Sequence, residues 1–343
     1  MRTLLNTLYV TTPDAYLALD GETIVVYHDK QQLGRIPFHN IQAVVAFGYT
    51  GASPALMGAC AKRNIALTFL SMHGRFLARV VGEQNGNVLL RKEQYRISDD
   101  EEKSLEYARN FILGKLFNGR WVIERASRDY EMRLDVKKLK KVSAFLANAI
   151  KHTQSCPDMD TLRGIEGEAA SVYFSVMDDL ILQKKEQFYF DTRNKRPPLD
   201  RVNAMLSFVY TLLAHDCASA LETVGFDAYV GFLHRDRPGR ISLALDLMEE
   251  LRHVYADRFV LSCINKRQID AAGFSQKEDG AVIMDDDTRK KILRLWQEKK
   301  QETLTHPFLG EKMTWGLVPF MQAQLLSRRL RGDLDTYPPF LWK

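Results

Sequence analysis

Cysteine is scarce in this chain: Cys60, Cys156, Cys217 and Cys263 are the only four among 343 residues. They lie far apart, without the close Cys-x-x-Cys pairs of zinc sites or the density of a secreted disulfide scaffold, and read as reduced core thiols. Long apolar runs are lacking too. No window approaches the ~18 uninterrupted apolar residues of a membrane span. Residues 1–10 have no charged start, long apolar stretch and small-residue cleavage site of a signal peptide. The expectation is a cytoplasmic protein that makes no membrane contact. Nor is there a large excess of charge of one sign: 48 Lys+Arg against 43 Asp+Glu leave +5. A balance so close to neutral identifies no partner, so the placement of charge has to carry that argument. Repeats and low-complexity tracts are absent.

What is present is an ordinary globular composition, 45% apolar and 27% charged, long enough for two or three units with their own cores. Residues 1–96 are rich in β-formers and turns. Thr23 to Tyr27, Ile41 to Phe47, Ile65 to Leu70 and Val88 to Leu90 read as short strands. Ser53-Pro54 predicts a capped helix among them, ending near Asn64. This segment carries 10 basic and 6 acidic side chains, net +4, and the remainder carries 38 and 37, net +1. From Ser98-Asp-Asp-Glu-Glu102, an acidic helix start, helical periodicity runs with interruptions to about Arg331. Breaks are expected at residues 155–158, 194–198 and 237–239 and near Gly273. Glu278-Asp-Gly280 with Ala281 to Met284 forms a small hairpin candidate before a helix capped at Asp287-Thr288, and residues 337–343 read as non-helical. The fold class is α+β, with a β-rich domain over 1–96 and a mostly α-helical domain over 97–343.

Three features stand out chemically. On a helix, Glu166 shares a face with Ala170, Tyr173 and Met177, while Gly164 and Gly167 permit a close approach. A carboxylate on an apolar stripe has to be protonated, paired or bound to a metal. A helix-start acid, or a pair with Arg163, is the plainer reading. The second feature is the apolar Gly231-Phe-Leu-His234, followed after a basic loop by a helix on which Asp246 and Glu249, at i and i+3, point the same way. Oxygen ligands with one imidazole suit Mg²⁺ or Mn²⁺. The alternatives are a core histidine with a solvated acidic face, or a local Glu249–His253 pair. The third feature is basic: Arg193, Lys195, Arg196 and Arg201 around Pro197-Pro198, then Arg235, Arg237 and Arg240, and the lysines at 137, 138, 140 and 141. Cations beside carboxylates fit a site that positions a phosphodiester, although a lysine run is also what a solvated face looks like.

Together these residues resemble the CRISPR-associated adaptation integrase and endonuclease family, Cas protein one, with a general similarity to members from type I systems. The resemblance rests on Gly164-Ile-Glu-Gly167, on Arg193 through Asp200 to Val202-Asn-Ala204 and Leu206 to Leu213, on Gly225-Phe226 through Gly231-Phe-Leu-His234 to Asp246-Leu-Met-Glu249-Glu250, and on Gln322 to Gly332. It implies an N-terminal homodimerisation domain and an α-helical, metal-dependent catalytic domain. Matched residue by residue, Glu166, His234 and Glu249 would be catalytic and hold Mg²⁺ or Mn²⁺, with Asp246 at a further acidic position. Glu249 departs from members that carry Asp there. The implied activity is spacer acquisition in antiviral defence: 3′-hydroxyl ends of a prespacer are joined to repeat DNA by transesterification, and water in place of that hydroxyl gives endonuclease cleavage. The implied partners are double-stranded prespacer and repeat DNA, a second copy of the chain, and a small adaptation protein that bridges two dimers into a heterohexamer. Arg193, Arg196, Arg235 and Arg240 are the candidate phosphate contacts. The alternatives are a structure-specific repair nuclease on branched DNA and a non-catalytic DNA-binding scaffold.

Overall fold

The computed structural model describes residues 7–41, 43–49, 51–63, 65–71, 76–80, 82, 88–194 and 196–343. They form two compact units. One comprises Met1–Asn85, Arg289–Glu302 and Thr314–Leu317, the other Gly86–Thr288, Thr303–Met313 and Val318–Lys343.

In the first unit, β1 (Thr7–Val10), β5 (Ala43–Phe47), β7 (Ala66–Leu70) and β8 (Phe76–Val80) form one sheet in the order β1-β5-β7-β8. A second sheet has the order β4-β3-β2-β6, from β2 (Tyr16–Asp20), β3 (Thr23–His28), β4 (Gln31–Pro37) and β6 (Gly51–Ala52). Gly21, at φ +55°, turns β2 into β3, a conformation that costs an L side chain strain. Helix α1 (Pro54–Lys62) starts as expected, with Ser53 Oγ accepting from the Leu56 N–H at 3.2 Å and proline in the first turn. Its Leu56 and Cys60 join Leu17, Ile24, Val44 and Leu67 in one core. The expected stop signal Asn64 lies outside the described residues; Arg63 is the C-cap.

Val88 to Leu90 is not a strand. It opens α2 (Val88–Ser98), in which Leu90, Gln94 and Ile97 are buried at helical spacing while Val88 and Leu89 are exposed. An eleven-residue helical period prevails over a three-residue β-former run. The boundary read at 96/97 therefore falls inside a helix that belongs to the second unit.

The second unit is built on helices that begin at aspartates. Asp100, Asp135, Asp158 and Asp200 each accept a backbone N–H at the starts of α3 (Glu101–Asp129), α4 (Val136–Ser155), α5 (Met159–Phe174) and α6 (Arg201–Val224). Gly225, at φ +107°, ends α6. Among the described helices α6 is the one long and apolar enough to cross a membrane, and 67% of that stretch is buried inside the protein. Then come α7 (Ser242–Leu251), a π-helical turn (Arg252–Asp257) and α8 (Arg258–Asn265). The expected hairpin is present as β9 (Phe274–Gln276) and β10 (Val282–Met284). Helix α9 (Asp286–Gln301), which from Arg289 onward belongs to the first unit, is capped by Asp285, which accepts from the Thr288 N–H at 2.7 Å, rather than by the Asp287-Thr288 pair. The strands β11 (Thr303–Thr305) and β12 (Lys312–Thr314) precede α10 (Val318–Leu330). All four cysteines are buried and outside any disulfide, and burial pushes the Cys60 thiol up to about 11 against the pull of Arg63.

Residues 337–343 are non-helical and held by buried polar groups. Asn118 on α3 donates to the carbonyls of Glu250 and Phe340, at 2.7 Å each, and accepts from the Trp342 N–H at 2.9 Å. Glu250 accepts from the Tyr337 hydroxyl, from the Phe340 N–H at 2.5 Å and from Gln322 at 2.8 Å.

The buried cap of α6 gives a first test. Asp200 accepts from both the backbone and the side chain of Asn203, at 2.7 and 2.5 Å. Asp200→Ala is expected to destabilise the protein by about 1–2 kcal/mol, seen as a lower urea midpoint with an unchanged denaturant slope.

Candidate active site

The loop before α7 and the start of that helix are fitted around one carboxylate. Asp246 is fully buried, and its Oδ2 accepts from the Phe232 and Leu233 N–H groups at 2.7 and 3.0 Å. Its Oδ1 accepts from the His234 N–H at 3.0 Å and lies 2.6 Å from His234 Nδ1. Gly231 is required here, because a Cβ at that position would meet Asp246 Oδ2 at 2.8 Å and Ser242 Cβ at 2.9 Å. The Nδ1 contact orients the imidazole with the proton on Nδ1, which leaves Nε2 as a lone-pair donor. Asp246 thus acts on the histidine, and both of its oxygens are committed to the protein.

Glu166 and Glu249 meet at a residue that sequence reading did not single out. The Lys115 ammonium, on α3, pairs with Glu166 Oε1 and lies 2.8 Å from Glu249 Oε2. Lys115 and Glu249 are buried, at 2% and 3% side-chain exposure, whereas Glu166 is 30% exposed and forms the open side of the cluster. The other Glu249 oxygen lies 2.6 Å from Arg252, whose guanidinium stacks 5.1 Å from the Tyr210 ring. Burial works against an ionised Glu249, but Arg252, Lys115 and His234 outweigh it and hold the carboxyl down at about 2. Glu249 Oε2 is buried without an aligned hydrogen bond, so its ion pair with Lys115 leaves acceptor capacity unused.

The other expectations divide. Asp246 and Glu249 do project from adjacent turns, but each has its own partners, so no repulsion between them needs a shared ion. Glu249 does not pair with His253. That imidazole stacks on Tyr173, with ring centroids 3.9 Å apart, and its Nδ1 lies 2.7 Å from Asp257, which also accepts from the Tyr210 hydroxyl at 2.6 Å. Burial holds the His253 pKa below its ordinary value, against the pull of Asp257. Arg163 pairs with Asp160 at 2.8 Å and donates to the Leu233 carbonyl, which rules it out as the Glu166 partner. Gly164 and Gly167 have open space where a Cβ would stand, so neither serves a close approach. Gly119 does: a Cβ there would lie 2.8 Å from the His253 ring.

Among the candidate phosphate contacts, Arg193 is a correction. Its guanidinium donates to Asn203 Oδ1 at 2.7 Å, to the Asn194 carbonyl and to Ser207, and stacks on Tyr210. It ties the loop before α6 to that helix, a task for a half-buried fork of donors. Arg196 and Arg235 are exposed, the latter 3.3 Å from Asp160, and Arg240 is half-buried. Lys195 lies outside the described residues. Lys138 and Lys140 are paired with Asp179 and Glu124, which gives half of the lysine run a structural use.

Among the described residues, no three acidic, imidazole or thiol side chains converge closely enough to hold an ion as they stand. The donor chemistry nevertheless fits a divalent cation. Two carboxylates meet at one ammonium, one of them is ionised although buried and its oxygen is paired to that ammonium without an aligned hydrogen bond, and the nearby imidazole presents Nε2. Hard oxygens with one nitrogen suit Mg²⁺ or Mn²⁺ better than a soft metal.

A family model described as CRISPR associated protein Cas1 matches residues 8–298. The CRISPR-associated endonuclease Cas1 1 of Chlorobaculum tepidum is 50% identical over 343 residues, which cover all of both chains. Among solved structures, a casposase bound to integration product superposes with a TM-score of 0.82 at 22% identity, covering 99% of this chain and 94% of that one. A chain of a Cas6-RT-Cas1--Cas2 complex gives a TM-score of 0.80 at 21% identity, covering 99% of this chain and 36% of that one.

Proposed function

The chain belongs to the Cas1 family, and on that premise we propose that it is a cytoplasmic spacer-acquisition integrase with endonuclease activity. It joins the 3′-hydroxyl of a prespacer strand to repeat DNA by transesterification, with Glu166, His234 and Glu249 holding Mg²⁺ or Mn²⁺. The observation that carries the reading is the convergence of Glu166 and Glu249 on one cationic point beside an imidazole oriented by Asp246. Such an ion supplies charge that polarises the scissile phosphate and stabilises the leaving oxygen. The chain's own residues prepare the rest. Arg252 and Lys115 keep Glu249 ionised, Asp246 keeps Nε2 of His234 free, and Arg196, Arg235 and Arg240 are the cations available for the DNA backbone. Water in place of the hydroxyl turns the same site into an endonuclease. In this reading the β-rich unit pairs two copies of the chain, and a small adaptation partner bridges two such pairs across a duplex. The similarly folded chain of the Cas6-RT-Cas1--Cas2 complex is assembled with Cas2, which supports a partner of that kind.

The test is strand transfer of a fluorescent duplex into repeat-containing supercoiled DNA, with the small partner present, in Mn²⁺ or in EDTA. Joined product in Mn²⁺ and none in EDTA is expected. Cleavage without joining would favour a repair nuclease on branched DNA, and binding unaffected by chelation would leave a scaffold.

A further inference from the structure

Lys115 stands at the point where two of the assigned ligands meet. Its ammonium pairs with Glu166 Oε1 and lies 2.8 Å from Glu249 Oε2, while the other Glu249 oxygen lies 2.6 Å from Arg252. Both oxygens of this buried carboxylate therefore face a cation already, and Glu249 can hold a divalent ion only where one of the two gives way. Arg252 is the fixed one. Its guanidinium stacks 5.1 Å from the Tyr210 ring, and the Tyr210 hydroxyl donates to Asp257 at 2.6 Å. Lys115 is a point charge on a flexible four-carbon stem. The backbone beneath that stem cannot withdraw, because α3 is seated against the segment after Glu249 on both sides of it. A Cβ at Gly114 would meet Glu250 Cγ at 3.0 Å, and one at Gly119 would meet the His253 ring at 2.8 Å. Any movement of the charge falls to the side-chain torsions of Lys115, and the way out passes Glu166, which is 30% exposed.

We propose that Lys115 holds the ion's place between Glu166 and Glu249 and is exchanged for Mg²⁺ or Mn²⁺, its ammonium swinging out past Glu166. The proposal rests on the metal-dependent reading above and deepens it, by naming a residue that sets how tightly the ion is held. Charge favours exchange over coexistence. Glu166 and Glu249 balance Lys115 and Arg252, so a divalent ion added to the set leaves two surplus positive charges, whereas one exchanged for Lys115 leaves a single one. Like charges at such short range repel strongly where water is excluded. The lysine has a use before the exchange as well. It keeps two carboxylates together that would otherwise repel, so the ligands are assembled ahead of the ion. The same residue lowers the observed affinity, since the ion binds only the fraction of molecules in which Lys115 has moved aside.

The experiment uses the full chain and Mn²⁺ alone, with wild type beside Lys115→Met, which keeps an unbranched stem and removes the charge. In EDTA the variant is expected to melt several degrees lower, because one partner of a buried pair is gone. Calorimetric titration is expected to show Mn²⁺ bound about 10–100-fold more tightly by the variant, the factor recovered when about 90–99% of a site no longer has to be cleared first. An ammonium with only a structural role predicts the opposite, weaker binding by a loosened site. Amine labelling of wild type, read at Lys115 by mass spectrometry, needs no variant to fold. Faster labelling in Mn²⁺ than in EDTA is expected, since the exchange brings the amine past Glu166 toward solvent. Equal or weaker Mn²⁺ binding by the variant, or labelling slowed by Mn²⁺, would overturn the exchange and leave Lys115 as a permanent counter-charge. Strand transfer on the same samples separates this from the reading it rests on. Tighter binding by the variant and faster labelling, with no joined DNA from wild type, sink the integrase assignment and leave the exchange standing.

Discussion

Glu166→Gln is expected to lower metal-dependent joining and cleavage by about 10³-fold or more, the several kcal/mol that electrostatic stabilisation by a bound ion contributes, while the fold is retained. Among the three assigned ligands this is the cleanest to remove. Glu166 is 30% exposed, glutamine keeps its shape, and Lys115 retains Glu249 as a counter-charge. Glu249→Gln would be ambiguous, since it leaves Lys115 and Arg252 buried without their carboxylate, a loss of order 3–5 kcal/mol of stability. Asp246→Asn should behave differently from either. Asparagine keeps one oxygen for the Phe232 and Leu233 N–H groups but gives up the bond from the His234 N–H and turns an amide N–H toward His234 Nδ1. The imidazole then accepts at Nδ1 and carries its proton on Nε2, the atom assigned to the ion. Activity and Mn²⁺ affinity are expected to fall by about 10–100-fold, as for other groups that orient a ligating histidine. Rates for both variants against Mn²⁺ concentration, beside calorimetric titration of the ion, check the pair. Full activity of Glu166→Gln would remove the site assignment, and full Mn²⁺ affinity of Asp246→Asn would remove the tautomer argument.

What could be read from the sequence follows from how local each signal is. The helix start within Ser98 to Glu102 and the Ser53-Pro54 cap are written within a few residues, and they were legible. Glu166 stood out because a carboxylate on an apolar stripe conflicts with its own helix, and Glu249 because it follows Asp246 by three residues. Lys115 carries the same conflict. It sits among Phe111, Ile112, Leu116 and Val122, all buried, and a lysine in that stripe could have been flagged by the rule that flagged Glu166. Its partner lies 51 residues away, however, and only the tertiary fold brings the two together. Asp246 shows the converse. Helical spacing places it correctly, but whether its oxygens face an ion or three backbone N–H groups depends on how the 231–234 loop packs on α7, for which Gly231 was the sole local hint. Arg193 was misread for a related reason, because a guanidinium beside a Pro-Pro loop looks the same in sequence whether it faces DNA or Asn203. The strand-like Val88 to Leu90 failed because three residues cannot reveal which period they belong to.

Glu250→Gln is expected to change the pH dependence of stability, because burial pushes this carboxyl up to about 8 against the pull of its donors Tyr337, Phe340 and Gln322. In the unfolded chain the same group titrates near its ordinary 4.5. The folded state therefore binds a proton that the unfolded state has lost throughout the window between those values. The group's contribution is greatest below about pH 4.5, declines as pH rises toward about 8, and is constant above. At ~1.4 kcal/mol per pH unit the separation corresponds to roughly 5 kcal/mol at most. Glutamine reproduces the neutral acid here: its amide can donate to the Tyr337 oxygen while its carbonyl accepts from the Phe340 and Gln322 N–H groups. The variant should match wild type near pH 4.5 and exceed it by several kcal/mol at pH 8, read as a difference in urea midpoint that grows with pH. If glutamine is instead less stable at every pH, the carboxylate is ionised in the native state and three donors suffice to hold it. The chain end would then be fastened beside Glu249 by a buried charge rather than by a buried acid.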